Sequence, residues 1–169
     1  MNSRVTSRHL HRLCFVATFV VLAGFPRAGI AQTSPLRSGT WKVNITKSKY
    51  NPGPPPKSQT RVDEASAGRL KATVEGIDAK GNRVAYEYDV KYDGKDYPIV
   101  GIGSPSGAES LGFTRVHTWT AEGFLKKGGK VVQTTTTRLS KNGKTLTVMS
   151  KGTNASGQPT NNVTIWEKQ

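Results

Sequence analysis

Hydrophobic and polar residues alternate along most of the chain after residue 38. In the segment 39–46, Trp41, Val43 and Ile45 lie on one side and polar residues on the other. A period of two predicts a strand with one buried face. The same alternation is clearest at 83–92, where valine and tyrosine face one way. The pattern predicts nine or ten short strands, at 39–46, 59–65, 69–77, 83–92, 97–101, 111–116, 119–126, 130–139, 144–150 and 161–167.

Short turns separate these predicted strands. Asp-Gly-Lys-Asp at 93–96 and Ser-Lys-Asn-Gly at 140–143 contain the residues that hairpin turns favour. No segment shows a helical repeat. A meander of about eight to ten antiparallel strands hides its edges by closing into an up-and-down barrel. We therefore predict an all-β, lipocalin-like meander barrel, with a two-sheet β-sandwich as the alternative.

The first 31 residues differ from the rest of the chain. Three arginines precede an apolar run from 13 to 25, and the segment ends in Gly-Ile-Ala at 29–31. A basic start, a short apolar run and a small-residue exit are typical of a secretory signal peptide. The run is shorter than the roughly 20 residues that span a bilayer. We expect cleavage after residue 31, export to the periplasm or beyond, and no transmembrane segment in the mature chain.

The mature chain is expected to have a flexible leader at 32–38 and one domain at 39–169, a common domain size. The segment 1–31 holds four of the 25 lysines and arginines and none of the 11 acidic residues, so the mature net charge is +10. Such a charge favours an anionic envelope component as a partner. The lysines lie mostly in turns, however, where they keep a sheet soluble and its edges unpaired. No nucleic-acid partner is expected.

Two stretches of the chain resemble known barrel proteins. Gly39-Thr40-Trp41 resembles the Gly-x-Trp motif of the lipocalin and fatty-acid-binding (calycin) superfamily, and 162–168 is similar to the last strand of fatty-acid-binding proteins. The resemblance implies a barrel with an interior and structural roles for Gly39 and Trp41, with Trp41 plugging the closed end. In fatty-acid-binding proteins an Arg-x-Tyr pair in that strand holds a carboxylate. Thr164 and Trp166 occupy those positions here, so a fatty-acid site is not implied.

A longer resemblance covers most of the mature chain. The start GTWKxNxxKSKxxPGP at 39–54, together with 93–98 and 143–147, resembles a family of exported bacterial proteins of uncharacterised function. It implies export and no particular activity. The prolines at 52–56 hold an extended connector rather than a helical lid.

Five residues are candidates for contacts with a ligand. Tyr86, Tyr88 and Tyr92 form a stripe that lines a cavity if the barrel is wide enough, with a filled core as the alternative. Arg138 shares a predicted face with Val132, Thr134 and Thr136, and Arg115 belongs to another strand. A buried arginine requires an anionic partner. Each arginine is thus a candidate anchor for a carboxylate or phosphate, unless it faces solvent.

The sequence offers little for catalysis. His117 is the single histidine after the predicted signal peptide, and the lone cysteine lies within that segment. A zinc site needs three or four ligands, and no Gly-x-Ser-x-Gly turn presents a serine nucleophile. We therefore predict no enzymatic activity, no metal and no cofactor.

Two functional hypotheses follow. The first is an exported lipocalin-like binding protein for a small, largely apolar or amphipathic molecule in the barrel interior. The alternative is a periplasmic interaction or inhibitor module without a cavity, which binds a protein or an anionic envelope surface.

Overall fold

The computed structural model describes residues 35–169, which form a closed barrel of ten antiparallel strands. The predicted signal peptide lies outside the described residues. The barrel confirms the all-β meander and excludes the β-sandwich. The strands are β1 Gly39–Lys49, β2 Ser58–Ser66, β3 Arg69–Ile77, β4 Arg83–Lys91, β5 Tyr97–Ile102, β6 Ser110–His117, β7 Thr120–Lys127, β8 Lys130–Leu139, β9 Thr145–Thr153 and β10 Pro159–Lys168.

The strands pair in chain order, and β1 closes the barrel by pairing with β10. Trp41 lies opposite Arg61 of β2, and Val43 lies opposite Trp166 of β10. β5 has the shortest pairing, because it meets β6 only at two residue pairs. Beyond these two pairs, β5 forms a hydrogen bond with the loop before β6, in which the Ile99 amide donates to the Glu109 carbonyl oxygen. Backbone groups around the barrel are thus paired with few open edges.

The two ends of the barrel differ. We call the end that carries residues 35–38 and the turns after β2, β4, β6 and β8 the closed end. A 3₁₀ turn, Pro35–Arg37, lies there, and the Trp41 indole Nε1 donates to the Arg37 carbonyl oxygen at 3.1 Å. Trp41 is fully buried, and Arg37 is 6% exposed. Arg37, within the predicted leader, has a buried partner, Asp63 of β2.

The other end, which we call the open end, carries residues 50–57 and the turns after β3, β5, β7 and β9. Buried apolar side chains form two clusters in the barrel interior. Tyr86 packs partly against both of them. The buried side chains of the two clusters are Leu70, Ala72, Tyr88, Val90, Ala108, Leu111, Phe113 and Leu125 in one and Trp41, Val43, Val74, Val84, Leu139, Leu146 and Trp166 in the other.

A β-bulge changes the facing of residues along β8. The register between β7 and β8 shifts so that Lys126 pairs with Val131 while Leu125 pairs with Gln133. A bulge adds one residue to one strand and reverses the inward and outward positions that follow. Gln133 and Leu139 are consequently buried.

Candidate ligand-binding cavity

A cavity of about 600 Å³ lies at the open end of the barrel. Inward side chains of β2, β4, β8, β9 and β10 form its wall, and the segment 50–57, the β3–β4 turn and the loops before β6 and β10 form its rim. Small-molecule sites commonly enclose about 300–1,000 Å³. The open end of the barrel therefore holds a cavity, and a second pocket of about 480 Å³ at the closed end is lined in part by Tyr92 and Arg115.

The cavity exists because the inward residues of β9 and β10 become small and polar toward the open end. On β9, buried Leu146 is followed on the same face by Val148 and then Ser150. On β10, Thr164 comes two residues before Trp166, and both line the cavity. Short side chains on a ten-stranded wall leave the interior unfilled, whereas narrower barrels are filled by their own residues.

A buried ion cluster lies beneath the cavity. Asp63, 1% exposed, accepts a hydrogen bond from Arg37 Nε at 2.6 Å on one carboxylate oxygen and from Arg61 Nε at 2.9 Å on the other. Arg61 Nη2 lies 2.7 Å from the second oxygen and donates to the Tyr88 hydroxyl at 2.8 Å. Two guanidinium groups thus share one carboxylate. The formal charges of Arg37, Arg61 and Asp63 therefore add up to a net positive charge.

Arg61 connects this cluster to the cavity. It is 7% exposed, lines the cavity, and its guanidinium carbon lies 5.6 Å from the centre of the Trp166 ring. Among the described residues, Nη1 of Arg61 has no hydrogen-bond partner. Burial alone lowers the pKa of this guanidinium, but the adjacent Asp63 carboxylate and Tyr88 raise it by more. Arg61 therefore stays charged beneath the cavity.

Two tyrosine hydroxyls at the cavity also lack partners among residues 35–169. The Tyr50 hydroxyl is buried without a hydrogen bond, and the Tyr86 hydroxyl makes none. Burial raises the pKa of the Tyr86 phenol, so that it remains a neutral donor. Gln133, in contrast, is held from the rim, because the Ser106 hydroxyl donates to its Oε1 at 3.0 Å. The hydroxyls of Tyr50 and Tyr86 can each donate a hydrogen bond to an acceptor on a ligand.

The structure separates the three predicted tyrosines. Tyr86 lines the cavity. Tyr88 lies in the core behind Arg61 and does not line the cavity. Tyr92 lies toward the closed end beneath Arg115, whose guanidinium carbon is 4.1 Å from the centre of the Tyr92 ring. Arg115 also donates from Nη1 to the Thr118 carbonyl oxygen at 3.3 Å. Tyr92 and Arg115 therefore belong to the closed end, away from the cavity.

Arg138 faces solvent, which is the alternative that the sequence left open for it. Its side chain is exposed, and Leu139 beside it is buried. The predicted face of β8 was extrapolated through Val132 without the bulge. The bulge at 131–133 places the odd-numbered residues of the second half of β8 inside.

The residues predicted to be structural lie at the closed end. Trp41 is fully buried. Gly39 has a φ of 135°, and a Cβ added there would lie 2.6 Å from Lys168 Cε. A side chain at this position would thus strain the backbone and displace the lysine that passes over the Trp41 ring.

The sequence interpretation did not single out Arg61, Asp63, Tyr50 or Trp166 as binding residues. The sequence does contain one indication. Arg61 and Asp63 are two residues apart in β2, so they lie on the same face, and they have opposite charges. The period-two pattern itself does not reveal that this charged face is the inward one, since Thr60 and Val62 occupy the other face.

The described residues supply neither a metal centre nor a membrane-spanning helix. Within 35–169, no three histidine, cysteine, aspartate or glutamate residues lie close enough together to hold a metal ion. No helix in that range is long and apolar enough to cross a bilayer.

Comparisons with known proteins show a likeness in structure. No family model matches the chain, and no curated protein matches it. Among solved structures, the chain is similar to a redesigned β-barrel, mFAP1, bound to DFHBI, with 14% sequence identity and a TM-score of 0.43. The match covers 81% of this chain and 99% of that one. The barrel described above rests on the strand pairing of this chain itself.

Proposed function

We propose that this protein is an exported binding protein that takes a small molecule into the cavity at the open end. The observation that carries the proposal is an interior space of about 600 Å³ above a buried floor. We propose binding without catalysis, for the reasons given from the sequence.

The cavity wall suggests a ligand with both apolar and polar parts. Val84, Val148 and the rings of Tyr86 and Trp166 supply apolar contact. Gln133, Ser150 and Asn162 supply hydrogen-bonding groups on the same wall. An apolar pocket with a few polar groups is how proteins select small amphipathic molecules. An amphipathic ligand therefore fits this cavity better than a wholly apolar ligand does.

The proposal is tested with N-phenyl-1-naphthylamine, an uncharged lipophilic fluorophore. Val148 lines the cavity, and Met149 beside it is on the outer face with 36% exposure. Val148→Trp fills the cavity, and Met149→Trp adds the same side chain outside. We expect Val148→Trp to weaken probe binding about tenfold or more, since it removes the space that buries the probe.

The matched control decides the outcome of this titration. Met149→Trp should bind the probe as the unaltered protein does. Equal effects of both variants on probe binding would contradict a ligand site in the barrel. Native mass spectrometry of the protein from its natural host would in addition show whether a molecule is retained.

Export is tested separately. The predicted signal peptide at 1–31 supports it. N-terminal sequencing of the protein from a periplasmic extract should begin at Gln32. Recovery of an intact Met1 in the cytoplasmic fraction alone would contradict it.

A further inference from the structure

We propose that the cavity selects an organic anion, namely an apolar or aromatic molecule with one carboxylate, sulfonate or phosphate group, and that Arg61 binds this acid group. The inference rests on the proposed function and specifies its ligand. It is carried by the charge balance of the ion cluster beneath the cavity and by the donors that the cavity leaves unpaired.

The ion cluster holds more positive than negative charge. Arg37 and Arg61 are both buried, and both contact the single carboxylate of Asp63. Each oxygen of Asp63 already accepts a hydrogen bond. A buried charge without a counterion is costly. An anion in the cavity would offset the excess charge at Arg61, the member of the cluster that lines the cavity.

The donors around the cavity match an acid group. Arg61 Nη1 and the hydroxyls of Tyr50 and Tyr86 all lack hydrogen-bond partners in the described chain. Guanidinium donors bind oxyanions through short, charge-assisted hydrogen bonds. A cation would meet an unfavourable field at the same place, so the arrangement discriminates between the two signs of charge.

The described cavity wall offers little competing negative charge. Asp78 is the one acidic residue among the described residues that line it. Its carboxylate lies in the β3–β4 turn, where it accepts hydrogen bonds from the backbone amides of Lys80 and Asn82. The acid group of the ligand is thus expected at the Arg61 end of the cavity, with the apolar body directed toward the proline-rich rim.

Two probes that differ by one acid group test the inference. 8-Anilinonaphthalene-1-sulfonate carries a sulfonate on the skeleton of N-phenyl-1-naphthylamine, which is neutral. We expect the processed protein to bind the sulfonate about tenfold or more tightly than the neutral probe, the scale of a charge-assisted hydrogen bond. Arg61→Gln should abolish this preference. Arg138→Gln removes the same charge from the outer surface and should preserve it.

A second pair of variants keeps the ion cluster intact, in case Arg61→Gln fails to fold. Thr164 lines the cavity two residues before Trp166, which packs against Arg61. Thr164→Glu places a carboxylate in the cavity and should abolish the preference for the sulfonate. Thr164→Gln has nearly the same shape without the charge and should retain the preference.

The outcomes separate this inference from the proposed function. Equal affinity for both probes, with Val148→Trp still blocking the neutral one, would overturn the inference and leave the proposed function standing. A sulfonate preference that Arg138→Gln and Arg61→Gln reduce equally would also overturn it, because the anion would then bind the basic surface. A protein that binds neither probe would contradict both.

Discussion

At the scale of single residues, the most consequential group is the carboxylate of Asp63. It is the shared partner of Arg37 and Arg61, and all three side chains are buried. Ion pairs withdrawn from water depend on complete pairing, since a charge left alone there loses its hydration without compensation. Asp63 thus holds the leader segment against the barrel and also orients the arginine that lines the cavity.

Asp63→Asn tests this role. Loss of the carboxylate leaves two buried guanidinium groups facing each other, and the free energy of unfolding should fall by about 3–5 kcal/mol. Urea denaturation monitored by tryptophan fluorescence measures the loss. Asp96→Asn is the control, because Asp96 pairs with Lys126 at the surface, where ion pairs contribute little. Similar losses of unfolding free energy in both variants would contradict a larger contribution of the buried cluster than of a surface ion pair.

Removal of the unpaired Tyr50 hydroxyl should stabilise the protein, in contrast to removal of the Asp63 carboxylate. The Tyr50 hydroxyl oxygen is buried without a hydrogen bond in the described chain, and such a group costs about 1–3 kcal/mol of desolvation. Tyr50→Phe should therefore raise the midpoint of urea unfolding of the ligand-free protein. Tyr88→Phe should lower it, because the Tyr88 hydroxyl accepts a hydrogen bond from buried Arg61. A destabilised Tyr50→Phe would mean that this hydroxyl has a partner in solution.

At the scale of elements, β8 and β9 determine part of the cavity wall through the bulge. Gln133, just after the bulge, lies opposite Gly152 of β9. The close approach of the strands requires glycine there, since an added Cβ would lie 2.1 Å from the Val132 carbonyl oxygen. Ser150, two residues away on the same strand, faces the cavity. Backbone packing at one glycine thus supports the position of two cavity residues.

Gly152→Ala tests this arrangement. The added methyl group clashes with backbone atoms that cannot rotate away, so we expect a loss of about 1–3 kcal/mol or more in unfolding free energy. Gly128→Ala is the comparison, because no atom lies within 4 Å of an added Cβ there and only its φ of 54° opposes alanine. A loss at Gly152 no larger than that at Gly128 would contradict the close approach of β8 and β9.

At the scale of the whole molecule, the two ends of the barrel differ. Trp41 is fully buried at the closed end beside the 3₁₀ turn, and the cavity lies at the open end. The open half is bounded by long connections that no barrel strand covers. The cavity and the buried Trp41 therefore lie at different ends of one barrel.

The surface carboxylates predict how stability responds to acid. Hydrogen bonds from Asn82, Arg69, the Lys95 amide and Lys47 are the largest causes that lower the pKa values of Asp78, Asp89, Asp93 and Glu167, respectively. A carboxyl whose pKa is lower when folded stabilises the protein above its unfolded pKa and loses that effect as the pH falls.

We therefore expect a steady melting temperature from neutral pH to about pH 5 and a decline below about pH 4, near the unfolded pKa of carboxyl groups. Thermal melts across this range, followed by circular dichroism, provide the measurement. Asp89→Asn should flatten the decline, because it removes one titrating group that is paired with Arg69. An unchanged melting temperature at pH 3 would contradict the role of these pairs.

Local pattern was enough to predict the strands and most turns. Alternation in β4 correctly placed Val84, Tyr88 and Val90 in the interior, because a strand exposes its two faces with a period that is visible in neighbouring residues. The all-β barrel followed, since sequential antiparallel strands must hide their edges. The position of Tyr86 on an inward face followed from the same rule.

The tertiary structure alone decided where the interior is empty and which charges meet. Asp63 and Arg37 are 26 residues apart, and Tyr88 lies 27 residues from Arg61. Such pairs depend on the register between strands, and one bulge in β8 was enough to turn Arg138 outward and Gln133 inward. Alternation specifies which residues share a face. Closure of ten strands determines how much space those faces enclose, because the space depends on side chains that are distant in the sequence.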